Sequence, residues 1–316
     1  MKILNTIGEK YTAAAKNILA QIGEVDYLDL EQAELLAKIE PYGILVIGLG
    51  LNIDKQVIDQ AKNLKIIATA TTGLDHIDLE YAKNKGIEVV SLRGETEFLN
   101  TITGTAELAF GLMIDLMRLT CSAFDDVKNY HWDREKFRGH NLLGQTIGIV
   151  GLGRLGQAMA RYANAFGMKV LAHDPNIDDQ VFVDYHCEKT DFETLLKNSD
   201  VISIHVHLDK DTANMFDQQI FGQMKDNAYL VNTARGKIVN EKDILVALEN
   251  KQIAGYATDV LADELNFNQN FANHPLVEYA KTHDNLIIVP HLGGMTYESR
   301  EATDIFIAEK IKKNLV

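Results

Sequence analysis

Three ionisable residues lie just past predicted strand ends in the second half of the chain, and their types suit chemistry at a carbonyl group. They are Arg235, Glu264 and His291, and the strands are predicted over 228–232, 253–260 and 286–289. An Arg guanidinium offers a planar fork for a carboxylate. A His side chain titrates near neutral pH and can donate or accept a proton, and a Glu beside it would favour the imidazolium and fix its orientation.

The three residues together indicate hydride transfer at a carbonyl carbon, with the His exchanging the proton. Each residue also has a purely structural interpretation. Arg235 would form a surface salt bridge, Glu264 would be a solvated loop acid, and His291 would be a hydrogen-bonded core imidazole. The chemical interpretation requires a hydride donor, and the sequence contains a pattern that would bind one.

A glycine-rich turn between a strand and a helix is that pattern. The predicted strand 147–150 leads into Gly151-Leu152-Gly153-Arg154-Leu155-Gly156, and a helix follows at once. Gly151 allows the tight turn, Gly153 lets the backbone approach a pyrophosphate, and Gly156 lets the helix pack close to the strand. The free N–H groups at the helix start attract an anion. Arg154 would meet the pyrophosphate charge or lie on the surface.

Asp174 indicates which nucleotide is bound. It follows the next predicted strand, 168–173, and stands eighteen residues beyond Gly156, where a ribose-binding acid is expected. A carboxylate accepts hydrogen bonds from both adenosine ribose hydroxyls and repels a 2′-phosphate, and no Arg stands next to it. We therefore predict NAD rather than NADP as the cofactor.

A His-x-His pair ends the predicted strand 201–207. His205 and His207 would share one face of that strand, which is compatible with a metal site. A third ligand at a suitable spacing is not visible in the sequence. We therefore expect no metal.

Alternating strands and helices are expected to position the candidate site residues. In residues 1–98 predicted strands alternate with helices, which indicates a parallel, doubly wound sheet. Ligands gather at the carboxyl ends of such strands, so the loop with Thr72 and Gly73 is a candidate binding segment. Arg93, in a later loop, is either a second cation for a phosphate or distal carboxylate, or a surface residue.

A long apolar segment predicts a contact between subunits. Between residue 102 and about 128, apolar residues recur at three- and four-residue spacing, which predicts one long helix with more apolar surface than one contact face needs. An aromatic and charged arm follows at 130–138 and includes Trp132. We expect the helix and arm to form a homodimer interface. The alternatives are a bridge between domains and a solvated surface loop.

Composition limits the remaining possibilities. A chain of 316 residues is long for one core, so two domains are expected, and the net charge of −14 disfavours nucleic acid and anionic membranes as partners. Cys121 and Cys187 form no Cys-x-x-Cys pair, and we expect both to be small core residues. The sequence contains no signal-peptide pattern and no apolar run of about 18 residues, so we expect a cytoplasmic protein.

The chain resembles the NAD-dependent D-isomer-specific 2-hydroxyacid dehydrogenases, in particular phosphoglycerate dehydrogenases without their regulatory domain. The matching segments cover nearly the whole length and lie at 71–79, 104–113, 148–156, 224–248, 254–264 and 289–294. The resemblance implies an α/β fold of two doubly wound parallel-sheet domains. A Rossmann cofactor domain at 101–294 would be inserted into a flavodoxin-like substrate domain at 1–100 and 295–316.

The resemblance also implies hydride transfer between NAD(H) and C2 of a 2-hydroxy or 2-oxo acid, such as 3-phosphoglycerate. Arg235 would bind the substrate carboxylate and polarise the C2 carbonyl, His291 would be the acid/base, and Glu264 would partner the His. Thr72, Gly73 and Arg93 would contact the substrate, and Asp259 would contact the nicotinamide. The expected cofactor-binding residues are Thr105, Gly151, Gly153, Arg154, Leu155, Gly156, Asp174, His205, Thr212, Thr233, Ala234, Asp259 and Gly294.

Two positions depart from the family pattern. His207 replaces a common proline, and the segment before Asn266 lacks the usual Glu-Pro ending, which implies a different course for the loop after Glu264. Two other functions are alternatives: a non-catalytic NAD-sensing regulator on the same fold, and a related NAD enzyme such as formate dehydrogenase. The first is disfavoured by the intact Arg, Glu and His, and the second by Glu264, where formate dehydrogenases carry Gln.

Overall fold

The computed structural model describes residues 1–264, 267 and 271–315, and the chain divides into two compact units. Unit 1 combines Met1–Ile102 with Thr296–Val316, and unit 2 is Thr103–Met295. The sequence predicts these domain boundaries at 100/101 and 294/295. The roles of the two units as substrate domain and cofactor domain remain predictions. The segment before Asn266, which departs from the family pattern, lies partly outside the described residues, because positions 265 and 266 are not among them.

The first part of unit 1 alternates short strands with short helices. In chain order these are β1 (Lys2–Asn5), α1 (Ala13–Leu19), β2 (Glu24–Tyr27), α2 (Gln32–Lys38), β3 (Ile44–Ile47), α3 (Lys55–Gln60), β4 (Ile66–Thr69), α4 (Leu79–Asn84), β5 (Glu88–Val90) and α5 (Thr96–Leu99). The strands pair in parallel in the order β2-β1-β3-β4-β5. Every residue of β3 and β4 is buried, as expected for parallel strands that are covered on both faces.

Unit 2 contains the larger sheet. Its elements are α6 (Gly104–Arg118), α7 (Thr120–Lys128), β6 (Thr146–Val150), α8 (Arg154–Ala165), β7 (Lys169–His173), α9 (Asp179–Asp184), β8 (Glu188–Lys189), α10 (Phe192–Asn198), β9 (Val201–Ile204), α11 (Gln218–Phe221), β10 (Tyr229–Asn232), α12 (Glu241–Glu249), β11 (Gly255–Thr258), α13 (Pro275–Ala280) and β12 (Leu286–Ile288). The sheet runs β12-β11-β10-β9-β6-β7-β8 with parallel pairing. The strand order reverses between β6 and β9, which is the position where doubly wound sheets bind ligands.

The chain then returns to unit 1 as α14 (Tyr297–Asn314). Ile307, Ala308 and Ile311 of this helix are fully or almost fully buried in the apolar cluster that also holds Ile3 and Leu19. Tyr11 Oη donates a hydrogen bond to the backbone oxygen of Asp304 at 3.1 Å. The predicted fold class, two doubly wound parallel sheets flanked by helices, is confirmed.

The prediction of one helix from 102 to about 128 is wrong. Leu119 adopts a left-handed backbone with φ +54°, which ends α6 and separates it from α7. A glycine or asparagine normally marks such an end, so the leucine gave no signal in the sequence. The prediction that Cys121 is a core residue is also wrong, because Cys121 is exposed on α7, which buries none of its side chains. Cys187 is only partly buried.

The predicted strand 201–207 is shorter than expected, because β9 ends at Ile204. His205 N makes one more ladder bond, to Val150 O at 2.8 Å, and the chain then turns away. His205 and His207 therefore do not share a strand face. Within the part of the chain that the structure describes, no group of three or more His, Cys, Asp or Glu side chains is arranged to hold a metal ion. Nor is any described helix both long and apolar enough to cross a bilayer.

Candidate active site

Three neighbouring strands of unit 2 bring the catalytic candidates to one edge of the sheet. β10 pairs with β11, and β11 pairs with β12. The ladder continues past the strand ends, because Asp259 N donates to Asn232 O at 3.0 Å and His291 N donates to Asp259 O at 2.8 Å. The segments that carry Arg235, Glu264 and His291 therefore all leave the sheet at its carboxyl edge.

His291 and Glu264 form a hydrogen-bonded pair. His291 Nδ1 lies 2.7 Å from Glu264 Oε1, and the two side chains are 26% and 25% exposed. The pair is thus shielded from bulk water but open to a small molecule. His291 holds a left-handed backbone with φ +52°, and its N–H also contacts Val289 O at 3.0 Å. Because Glu264 occupies Nδ1, Nε2 is the ring nitrogen that remains for a substrate.

Asp259 fixes the segment that follows His291. Its carboxylate accepts hydrogen bonds from Leu292 N and from Gly293 N, the latter at 2.8 Å. Burial raises the pKa of Asp259, although the two backbone N–H groups and the nearby His291 oppose that rise. The structure therefore gives Asp259 a role in orienting the His291 loop, and its contact with nicotinamide stays a prediction.

Asn232 shapes the turn that carries Arg235. Its side-chain amide donates to Arg235 O at 3.0 Å, and its side-chain oxygen accepts from Ala234 N at 3.0 Å. Arg235 Nη1 donates to Ala234 O at 2.8 Å. Sequence reasoning missed Asn232, although a buried Asn at a strand end is typical of side chains that hydrogen-bond the following backbone. Thr233 Oγ1 is buried with no hydrogen-bond partner among the described residues.

The glycine turn has the geometry of a phosphate cradle. Gly151 has φ +92°, and a Cβ on it would lie 2.8 Å from His205 O, while a Cβ on Gly156 would lie 2.1 Å from Gly151 O. A Cβ on Gly153 would meet nothing within 4 Å. The first and third glycines are therefore required by packing, whereas Gly153 opens onto free space at the start of α8.

Asp174 is tied to this turn. Its Oδ2 accepts from Leu152 N at 2.9 Å, and its Oδ1 accepts from Asn176 N at 2.9 Å. Each carboxylate oxygen has a second lone pair for a ribose hydroxyl. Arg154 and Leu155 are partly buried at the start of α8, and burial lowers the pKa of Arg154.

The remaining cofactor candidates fall into two groups. His205 is held through Nε2, 2.8 Å from Ser203 Oγ, and its buried Nδ1 has no hydrogen-bond partner among the described residues. Thr105 lies against Gly293, where a Cβ would be 3.0 Å from its side chain. By contrast, Thr212 is engaged in a turn, because its hydroxyl donates to His207 O at 2.6 Å, and Gly294 is exposed.

The substrate candidates of unit 1 lie together on that unit. Arg93 is exposed, and its Nε donates to Thr72 O at 3.3 Å. Thr71 Oγ1 donates to Gly73 O at 2.8 Å and so closes the turn after β4. Arg93 therefore contacts the backbone of the loop that sequence reasoning assigned to the substrate.

Comparison with known proteins identifies the family. A model of the D-isomer specific 2-hydroxyacid dehydrogenase, NAD binding domain, matches residues 110–293. Hydroxypyruvate reductase of Thermotoga maritima is 36% identical and aligns over 92% of this chain and 91% of its own. The chain belongs to the D-isomer specific 2-hydroxyacid dehydrogenases. It is an NAD-dependent oxidoreductase, as predicted.

Other relatives of this dehydrogenase differ in length and named substrate. The D-3-phosphoglycerate dehydrogenase of Methanocaldococcus jannaschii is 37% identical over 95% of the chain, which spans only 55% of that enzyme's length. A crystal structure of D-lactate dehydrogenase from Aquifex aeolicus, complexed with NAD and lactic acid, has a TM-score of 0.87 and 28% identity, with 100% of this chain and 95% of that one covered.

The residues of the dehydrogenase fit the cofactor that the family requires. Free space beside Gly153 and the N–H groups at the start of α8 suit a pyrophosphate. Two buried polar atoms with no hydrogen-bond partner among the described residues, Thr233 Oγ1 and His205 Nδ1, are available to a ligand. The prediction of NAD as the cofactor is confirmed by the family model and by the NAD complex of the lactate dehydrogenase.

Proposed function

We propose that this dehydrogenase interconverts a D-2-hydroxy acid and the corresponding 2-oxo acid through His291, Glu264 and Arg235. The observation that carries the proposal is the 2.7 Å contact of His291 Nδ1 with Glu264 Oε1 at the sheet edge from which the Arg235 turn also leaves. The relatives named above are dehydrogenases and reductases, which supports an enzyme over the non-catalytic NAD-sensing regulator.

The proposed roles follow from the chemistry of the three side chains. NADH, held at the turn of Gly153 and the start of α8, would supply the hydride for C2 of the 2-oxo acid. Protonated His291 donates its Nε2 proton to the carbonyl oxygen, while Glu264 holds the ring through Nδ1. Arg235 binds the substrate carboxylate and stabilises the negative charge that develops on that oxygen. In the oxidative direction His291 accepts the proton from the hydroxyl group.

For the substrate we propose a small 2-oxo acid with a second anionic group, such as the 2-oxo acid formed from 3-phosphoglycerate. Support comes from the contact of Arg93 Nε with Thr72 O, which holds a cation beside the proposed substrate loop with Gly73. The net charge of −14 makes a local cation important for an anionic substrate. The D-3-phosphoglycerate dehydrogenase and the hydroxypyruvate reductase described above have almost the same sequence identity to the chain, 37% and 36%.

The decisive experiment is a spectrophotometric screen of phosphorylated and plain 2-oxo acids with NADH, using the wild type, His291→Ala and Arg93→Ala. His291→Ala should lower kcat by about 10²- to 10⁴-fold with every substrate, because it removes the proton donor. Arg93→Ala should raise KM for a phosphorylated acid but leave KM for a plain one nearly unchanged. Near-normal turnover of His291→Ala would refute the catalytic assignment, and an equal effect of Arg93→Ala on both classes would refute the second anionic group.

We also propose a cytoplasmic homodimer. The support is a set of exposed apolar side chains on α7 and the arm, among them Phe124, Tyr130 and Trp132, which are 64%, 98% and 90% exposed. A soluble monomer rarely exposes several large aromatic residues together. Light scattering tests the dimer, because it measures the mass of the protein in solution.

A further inference from the structure

Unit 2 contains a second His–Glu pair that the proposed reaction does not use. Glu241 Oε2 lies 3.3 Å from His274 Nε2, and the two side chains are only 23% and 11% exposed. Glu241 is the first residue of α12, and His274 directly precedes α13. A carboxylate that is shielded from water loses favourable hydration, and hydrogen bonds or an ion pair must offset this cost.

The other oxygen of Glu241 reaches the loop that carries Glu264. Glu241 Oε1 accepts a hydrogen bond from Ala262 N at 2.7 Å. Ala262 stands two residues before Glu264 in the short segment after β11. One carboxylate therefore joins α12, His274 and the backbone of the Glu264 loop.

The same loop lies directly on the turn of Arg235. A Cβ on Gly236 would be 2.0 Å from Leu261 C and 2.3 Å from Ala262 N, so the loop backbone occupies the place of a side chain. Lys237 and Asp263 also pair at 2.7 Å, but their side chains are 56% and 66% exposed, and exposed pairs contribute little. The bond from Ala262 N to Glu241 is the better shielded of these polar contacts.

Helix capping does not explain the Glu241 side chain. Asn240 is the N-cap residue of α12, and its side-chain oxygen accepts from Lys242 N and Asp243 N. The helix start is thus satisfied without the carboxylate of Glu241. Burial raises the pKa of Glu241, and the Ala262 N–H and His274 oppose that rise.

We propose that Glu241 is a positioning residue for the dehydrogenase reaction. By accepting the Ala262 N–H and pairing with His274, it fixes the loop that places Glu264 against His291 Nδ1. The loop also lies on Gly236, so its position is coupled to the turn of Arg235. This inference rests on the proposed function, because it assigns the catalytic pair to Glu264 and His291.

The test compares Glu241→Ala and Glu241→Gln with Glu249→Ala, which removes an exposed carboxylate from the other end of α12. Glu241→Ala should lower kcat/KM by about 10- to 100-fold, since small displacements of catalytic groups have effects of this size. Glu241→Gln keeps an acceptor oxygen for Ala262 N and should lose less. Glu249→Ala should match the wild type, and the Kd for NADH should be unchanged in all three.

Two further readouts separate positioning from general stability. The loss in Glu241→Ala should appear more in kcat than in KM for the 2-oxo acid, because the bound substrate then meets a misplaced Glu264–His291 pair. In a Glu264→Gln background, Glu241→Ala should lower kcat/KM by a smaller factor than in the wild type, because the carboxylate that it positions is already gone. Thermal unfolding shows whether each variant folds. If Glu241→Ala does not fold, Glu241→Gln takes its place in these measurements.

The outcomes distinguish the two proposals. Additive losses from Glu241→Ala and Glu264→Gln, or a loss confined to KM for the 2-oxo acid, would overturn the positioning role while the enzyme still turns over 2-oxo acids. If the wild type reduces no 2-oxo acid, or Glu264→Gln leaves kcat/KM unaltered, the proposed function itself fails.

Discussion

At the scale of single residues, the site depends on side chains that bond to backbone as much as on those that would meet substrate. Asp259 binds the N–H groups of Leu292 and Gly293, and Asn232 closes the turn before Arg235. Each fixes a side chain of the proposed catalytic set by fixing the peptide that carries it. Loss of such a residue should therefore alter rate constants more than substrate range.

The guanidinium of Arg235 gives a direct test at this scale. Arg235→Ala should lower kcat/KM by about 10²- to 10³-fold, because it removes the donor that stabilises the developing negative charge. Arg235→Lys should recover only part of this loss, since an ammonium cannot bind a carboxylate through two parallel hydrogen bonds. Steady-state kinetics measure both. Arg161→Lys on the exposed face of α8 is the matched control and should behave as the wild type. Equal activity of Arg235→Lys and the wild type would contradict a bidentate role.

His205 makes the stability of the cofactor-free protein dependent on pH. Burial lowers the pKa of His205 from 6.5 to about 4. Between pH 6.5 and about pH 4 the His of the unfolded chain takes up a proton that His205 of the folded chain does not. The contribution of His205 to the free energy of unfolding is therefore fully present above pH 6.5 and is lost as the pH falls toward 4. Between about pH 7 and pH 5 the loss should be about 1–2 kcal/mol.

Urea unfolding of the wild type and of His205→Gln at both pH values measures this contribution. The wild type should lose more stability than the variant on acidification, because only the wild type carries the buried imidazole. Parallel losses in the two proteins would show that other groups control the acid response.

At the scale of elements, different glycines of the turn between β6 and α8 serve packing and cofactor binding. Gly153 has an ordinary φ of −71°, and a Cβ there meets only open space. Gly153→Ala should therefore keep its stability within about 0.5 kcal/mol. Its Kd for NADH should rise about 10- to 100-fold, because the methyl group would stand where we expect the pyrophosphate to approach.

Gly156→Ala is the complementary variant. Its Cβ would lie 2.1 Å from Gly151 O, so α8 must move away from β6. We expect a loss of stability of about 1–3 kcal/mol, measured by denaturant unfolding. Unchanged stability of Gly156→Ala, or tight NADH binding by Gly153→Ala, would contradict this division of roles.

The elements also show how far the sequence can be interpreted on its own. Short apolar runs bounded by turn residues predicted most of the strands, because a parallel sheet buries both faces. The same pattern predicted Arg235, Glu264 and His291, since each stands just past such a run. The sequence could not reveal Leu119 as a helix end, because its left-handed backbone is not the usual choice for leucine. Glu241 and Asn232 were missed because their partners are backbone groups brought close only by tertiary packing.

At the scale of the whole molecule, the proposed dimer is the property most easily tested. Trp132 is 90% exposed beside Tyr130, and large aromatic side chains of this kind often contribute most to an interface. Trp132→Glu should shift the mass measured by light scattering from dimer toward monomer. Val183→Glu introduces the same charge at a 65% exposed apolar position on α9 and should leave the dimer intact. A monomeric wild type, or a dimeric Trp132→Glu protein, would refute the proposed interface.

The return of the chain to unit 1 through α14 has a consequence for biosynthesis. Unit 2 is one continuous stretch, Thr103–Met295, so it can fold on the ribosome as soon as it emerges. Unit 1 begins first but must wait, because Ile307, Ala308 and Ile311 complete the core around Ile3. The nascent chain therefore exposes part of the apolar surface of unit 1 throughout the synthesis of unit 2. Chaperones that bind apolar segments should associate with this chain until α14 is released.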